Sequence, residues 1–304
     1  MPMWSVLLLP PGLLLVSGWA AALSAACQAH AAGRPVTVAT IGRPVQEATR
    51  LLVIRRRRTR HPDALLWRVG GATLLMTAVL AAAVVPLGDV PIIGSEVGVV
   101  WFNAAETLLW AALWLTGWGA NSVSGLVGGY RFLAQALAYE LPLMLALITA
   151  AIGAASLDVV QIAAAQDRLW FVVWMPVAFA VFLISALALS FWGPFSQPSG
   201  ADANGGVMAE LSGVDRLIVL AGRYAWLTAA AGMSVPLFLG GGSGPLLPSW
   251  AWWSVKTLAV LGLLVLVRWR WPLVRVDRFE EVAWVVLLPA ILVQALVVSV
   301  IVVF

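Results

Sequence analysis

Residues 282–303 read Val-Ala-Trp-Val-Val-Leu-Leu-Pro-Ala-Ile-Leu-Val-Gln-Ala-Leu-Val-Val-Ser-Val-Ile-Val-Val, without one charged side chain. A helix crosses the hydrocarbon core of a bilayer, about 30 Å thick, with about 20 apolar residues, so this stretch predicts a transmembrane span. Comparable runs fall near 4–26, 66–87, 97–118, 131–155, 169–191, 216–239 and 250–268. Strands of a membrane barrel would alternate apolar and polar side chains, whereas these runs are apolar on every side and predict helices. The composition agrees. The chain is 62% hydrophobic and 11% charged, with a mean hydropathy of +0.96, against roughly half and a quarter in soluble domains. The expected fold is all-α: a polytopic integral membrane protein of about eight transmembrane helices, forming a single membrane domain over residues 1–304. The first run has no basic residue ahead of it and no convincing small-residue cleavage site before Cys27, which predicts a retained helix rather than a signal peptide.

The arginines set the expected orientation. Arg34, Arg43, Arg50, Arg55, Arg56, Arg57, Arg58, Arg60 and Arg68 lie after the first run, and Arg268, Arg270, Arg275 and Arg278 after the seventh. The connections 88–96, 156–168 and 240–249 carry Asp89, Glu96, Asp158 and Asp167 with Arg168 as their one base. Basic connections stay on the cytoplasmic side, so both termini are expected on the outer face of the cell's inner (plasma) membrane. The pI near 10.0 comes from juxtamembrane charge with little aromatic interleaving, which favours topology and lipid headgroup contact over nucleic acid. One cysteine, Cys27, and two histidines, His30 and His61, are too few for an iron–sulfur cluster or a credible haem or zinc site. No metal site is expected. No phosphate-binding glycine loop of Walker type occurs, which argues against nucleotide hydrolysis.

Ionisable groups inside apolar spans are costly and mark function. The candidates are Glu106, Arg131, Gln135, Glu140, Arg223 and Lys256. Glu106, mid-span, fits either a hydrogen-bonded contact between helices or a proton relay. At helical pitch Arg131 and Gln135 share a face while Glu140 points away; Glu140 therefore needs a partner on another helix or stays neutral. Pro142, just beyond, opens the local hydrogen-bond ladder. Outside the spans, residues 41–53 place Val45, Ala48, Leu51 and Leu52 on one stripe behind Pro44, which predicts an amphipathic helix at the membrane surface. The connection 192–215 is long and rich in Gly, Ser and Pro, a length that usually carries function or disorder.

Several stretches together resemble a known family: the membrane-embedded H subunit of respiratory complex I (subunit 1 in mitochondria), with relatives in membrane-bound group 4 hydrogenases. They are Gly117-Trp118-Gly119-Ala120-Asn121-Ser122, Leu126 to Arg131, Ala134-Gln135 and Tyr139-Glu140-Leu141-Pro142, with Gly42-Arg43-Pro44, Glu47, Arg50-Leu51-Leu52, Pro194-Phe195, Glu210 to Gly213, Leu237 to Gly241, Lys256-Thr257, Arg268 and Arg275 in register. The resemblance implies a subunit that anchors a soluble redox arm, forms part of a quinone site with partner subunits and starts a proton path. The partners would be that arm, which would hold flavin and iron–sulfur clusters, and antiporter-like membrane subunits. This chain would bind no cofactor itself and would not be catalytic alone. It would meet its partners through connections 27–65 and 192–215. The implied proton path uses Glu140 and Glu210, to which Glu106 is added as a candidate by its own place inside a span; the implied quinone interface uses Arg43, Glu47, Arg131, Gln135 and Asp202; Asp215, Arg223 and Arg275 are structural charges. The chain departs from the family after Phe195, where Asp202 and Glu210 alone remain of a carboxylate-rich connection. It also has Asp215 where an arginine is usual, Arg223 where a glutamate is usual, and Glu106 where a small polar residue is usual. Two other functions fit the same residues: the equivalent membrane component of a nickel–iron hydrogenase or formate-hydrogenlyase complex, and a scaffold that only holds a redox module at the membrane.

Overall fold

The computed structural model describes residues 4–200 and 205–303. Asp202 lies outside them. Nine helices of more than ten residues organise the described residues, with short helices at Val38–Ile41, Val159–Ala164 and Phe171–Trp174 between them: α1 (Trp4–Ala31), α2 (Arg43–Val53), α3 (Ala64–Ala83), α4 (Gly98–Gly119), α5 (Val123–Ala154), α6 (Pro176–Leu189), α7 (Gly213–Phe238), α8 (Ser249–Arg270) and α9 (Val276–Val303). Seven of them are long and apolar enough to cross a membrane; α2 and α6 are not. No strand forms among the described residues, which leaves a polytopic all-α membrane protein.

The run expected at 169–191 is broken rather than continuous. Phe171–Trp174 makes one helical turn, Met175 leaves helical geometry at φ −121° and ψ 47°, and α6 restarts at Pro176. A proline disfavours helical geometry in the residue before it and suits the first position of a new helix. Helix α5 begins earlier than expected, at Val123, where Ser122 Oγ accepts from Gly125 N–H at 3.2 Å. Its 32 residues span about 48 Å, so it tilts across the bilayer or extends past it. In α9, wider π-type turns at Ala283–Leu287 precede Pro289, which has no N–H to continue the ordinary ladder.

Helix α7 is the centre of the bundle and α9 its rim: 78% of the apolar stretch of α7 is buried, against 17% in α9. Close approach of α3 and α4 is set by two glycines. A Cβ on Gly70 would lie 2.6 Å from Ala112 O, and one on Gly119 2.5 Å from Trp67 N, so only glycine lets these backbones meet. The basic connections share one end of the bundle. There Arg57 N–H donates to Ser212 Oγ at 2.6 Å and Val274 N–H to the Pro194 carbonyl at 2.9 Å. The described parts of the connection 192–212, residues 192–200 and 205–212, are folded, with two short turns and buried Pro194, Phe195, Pro198 and Met208. At the opposite end Lys256 Nζ donates to the carbonyls of Leu239, Gly241 and Ser243 at 2.7, 3.0 and 2.8 Å. It closes the turn after α7 and sits 4.3 Å from the centre of the Trp170 ring.

Gly70→Leu forces side-chain atoms into the α4 backbone, and overpacking of this kind costs about 1–3 kcal/mol. Its thermal transition in detergent is expected to fall clearly below that of Gly12→Leu, because nothing lies within 4 Å of a Cβ on Gly12.

Candidate functional site: a carboxyl pair between two spans

On α4, Asn103, Glu106, Thr107 and Trp110 follow the spacing that puts side chains on one helical face. Tyr139 and Glu140 meet that face from α5. Glu106 is fully buried, at 0% exposure, and its Oε1 accepts from Tyr139 Oη at 2.6 Å. Glu140 Oε1 accepts from Thr107 Oγ1 at 3.3 Å and from Asn103 Nδ2 at 3.5 Å. The two carboxyl groups interact with each other, and the Trp110 indole N–H lies beside Glu106. Two like charges facing each other at low dielectric repel strongly. Glu140 and Asn103 are half-buried and Thr107 is exposed on the flank of the bundle, so the cluster runs from the core to the protein's lateral surface.

The other sequence candidates fall elsewhere. Gln135 Nε2 donates to the Ala188 carbonyl at 2.8 Å and Arg131 donates to the Gly205 carbonyl at 3.3 Å, so both brace α5 against α6 and the folded connection. Glu210 is half-buried in that connection, and its side chain makes no hydrogen bond or ion pair among the described residues. Asp215 meets Arg56 at 3.8 Å rather than Arg223. Arg223, 5% exposed, donates to the Phe191 carbonyl at 2.5 Å and lies 4.9 Å from the ring centres of Phe191 and Trp192. Arg268 stacks on Trp192 at the same distance. Arg275 pairs with Asp277 at 2.9 Å on the exposed surface, where such pairs contribute little.

Arg43 and Glu47 line a cavity of about 420 Å³ between α1, α2, α7 and α8, together with Ser24, Leu51, Tyr224 and Arg268. Arg50, bonded to Glu47 at 2.5 and 2.7 Å, holds the Glu47 carboxyl below the usual carboxylate range. Along α2, Leu51 is buried toward the bundle while Val45 and Leu52 face outward, as suits a helix lying on a membrane surface. Sequence reasoning missed Asn103, Thr107 and a role for Tyr139. Their common face with Glu106 and Glu140 was the available signal, but which helices meet is a tertiary fact.

Fold and site together define a multi-pass, all-α membrane protein with a carboxyl pair buried between two of its spans. A model of the family described as NADH dehydrogenase matches residues 3–299. The chain is 34% identical over 265 residues to the second H subunit of the NADH-quinone oxidoreductase of Geobacter sulfurreducens, covering 84% of this chain and 80% of that relative. It is equally similar to the first H subunit of the Geobacter metallireducens enzyme. It is also 34% identical over 210 residues to the H subunit of the Geobacillus kaustophilus enzyme, covering 67% and 63% of the two chains. The chain belongs to the NADH dehydrogenase family, among relatives named as H subunits of NADH-quinone oxidoreductase, in keeping with its motifs.

Infrared spectra of the purified protein are expected to show a protonated carboxyl stretch that shifts in Tyr139→Phe and is lost when Glu106→Gln and Glu140→Gln are combined. A band unchanged in that double variant would remove the pair from consideration.

Proposed function

We propose that the chain is the membrane-embedded component, of the H-subunit type, of a proton-translocating NADH-quinone oxidoreductase, anchoring the redox arm and contributing to the quinone site and the proton path. The observation that carries this is the Glu106–Glu140 pair, joined to Tyr139 and reaching the flank of the bundle through Glu140. Because two like charges there repel, a proton arriving at either carboxyl relieves the repulsion and release from the other restores it. That is one relay step, with the tyrosine hydroxyl stabilising whichever oxygen it faces. Glu140 hands the proton to or from an adjoining membrane component. Arginine stays charged and cannot relay, so Arg223 does not carry the path, and the α4–α5 pair takes that role in this chain.

The cavity between α1, α2, α7 and α8 supports the quinone assignment: its walls are largely apolar, with Arg43, Glu47, Tyr224 and Arg268 among them. This suits a molecule with a polar ring and a long apolar tail, and the ring site is completed by partner subunits. Flavin and iron–sulfur chemistry belongs to those partners, so the chain is a non-redox component that acts only in the complex. The arginine-bearing end, with connections 27–65 and 192–215, faces the cytoplasm of the plasma membrane and receives the soluble arm, leaving both termini outside. Asp202 and Glu210 both belong to the second of these connections.

In the assembled complex, Glu140→Gln is expected to lower coupled quinone reduction or proton pumping by about a hundredfold, the scale of losing a proton-transfer group, with assembly intact. Arg275→Ala, which breaks only an exposed pair, leaves both unchanged. Unaltered coupled turnover in Glu140→Gln overturns the relay. Purification from the native membrane in mild detergent tests the assembly itself: flavin- and NADH-binding proteins are expected to come with the chain, and a nickel–iron hydrogenase in their place would overturn it.

A further inference from the structure

The cavity between α1, α2, α7 and α8 borders a cluster of positive charge. Arg268 lines it, half-buried, and lies 4.9 Å from the ring centre of Trp192. Arg223, buried and outside the lining, lies at the same distance from that ring. The two guanidinium carbons are therefore at most twice that distance apart, and the charge of Arg268 acts on Arg223. Trp192 is fully buried and fixed between them, its indole N–H donating to the Leu264 carbonyl at 3.1 Å and its ring meeting Tyr224 edge-on at 5.0 Å. Tyr224 also lines the cavity.

Like charges gathered around one indole repel, and a buried charge is costly without a counter-charge. Among the described residues neither Arg223 nor Arg268 forms a salt bridge, and neither does Arg43, which also lines the cavity. Glu47 is the one acid in the lining, and its carboxylate is bonded to Arg50. The cavity thus has largely apolar walls and a polar end that carries positive charge. A cation is repelled there. A small hydrated anion would lose its water against apolar walls. An amphipathic anion, with an apolar body and one negative charge, fits both features.

We propose that this cavity selects its ligand as an anion, a quinone-type ring carrying one ionised hydroxyl, with Arg268 in contact and Arg223 adding its field through Trp192. This rests on the quinone assignment made above and adds a charge preference to it. Arg268 and Tyr224 are the groups in the lining that can donate to the ionised oxygen. Arg223 touches no ligand; it is a positioning residue that acts through the fixed indole. A positive charge at about 10 Å, in surroundings of effective dielectric about 20, favours an anion by on the order of tenfold.

Two probes test it by equilibrium dialysis against the assembled complex: a hydroxynaphthoquinone, whose hydroxyl is ionised at neutral pH, and its methyl ether, which carries no charge. The unaltered complex is expected to bind the ionised probe about tenfold more tightly or better. In Arg223→Gln that preference falls about tenfold while the ether binds as before, which a merely structural loss would not produce. Arg268→Gln removes the preference as well, and Arg268→Lys restores most of it; where Arg223→Gln does not assemble, these two variants give the reading. If neither probe binds the unaltered complex, the quinone assignment falls and the anion site with it. If both bind equally, or if the preference survives in the glutamine variants, the anion site alone is overturned. If phosphatidylglycerol displaces the ionised probe at equal concentration, the positive end serves a lipid phosphate and the ionised ring is overturned.

Discussion

Within hydrocarbon a polar group has no water to turn to, so each must be satisfied inside the protein. The interior is arranged around that constraint. Lys256 spends its three donors on three carbonyls of the turn after α7. Gln166 bonds the carbonyls of Ile162 and Pro236 and accepts from Phe171 and Gly240 N–H, which stitches α7 to the short helices preceding α6. Trp192 gives its N–H to the Leu264 carbonyl and its ring to two guanidinium groups. Against this background Glu106 and Glu140 are two acidic groups facing each other between spans, with the Tyr139 hydroxyl as a donor to one of them. Ionisable groups at membrane depth mark functional sites by default.

The same constraint explains Arg223. No carboxylate faces it among the described residues; its charge is spread over a carbonyl and two aromatic faces. Cation–π contact strengthens as water is excluded, which makes a buried arginine tolerable where a lysine would shed its proton. Asp215, two turns earlier, is drawn instead to Arg56 in the basic connection. The apparent exchange of charge along α7 is therefore two separate solutions, one at the interface and one in the core.

How much of this was legible beforehand follows from the range of each interaction. The spans and the grouping of basic connections at one end rest on composition and local order, and they were readable from the apolar runs and the arginines. The short surface helix at Arg43–Val53 was readable from its stripe. The break at Met175 was less so, because a proline within an apolar run is compatible with a kinked continuous helix or a restart. That Glu140 leaves the face of Arg131 and Gln135 followed from helical pitch. That it meets Glu106 did not, since pitch says where a side chain points on its own helix and nothing of which helix stands opposite.

Burial is distributed unevenly, and the pattern bears on function. Helix α7 is held on all sides, whereas α1 presents most of its apolar surface outward, and the seam between them holds two cavities, the one of about 420 Å³ lined by Arg43 and Glu47 and another of about 300 Å³ lined by Gly12, Thr228 and Trp253. A cavity between two equally buried helices would be closed by packing, since interiors tolerate few voids. One between a fixed helix and a loosely held one persists, because lipid can press against the outer helix but gains nothing from driving small residues together. The small side chains of α1 at Gly12, Ser17, Gly18, Ala21 and Ala25 keep that seam shallow-walled along its length. Both cavities therefore lie against a fixed α7 wall and a loosely held α1 wall, apart from the carboxyl pair that α4 and α5 carry.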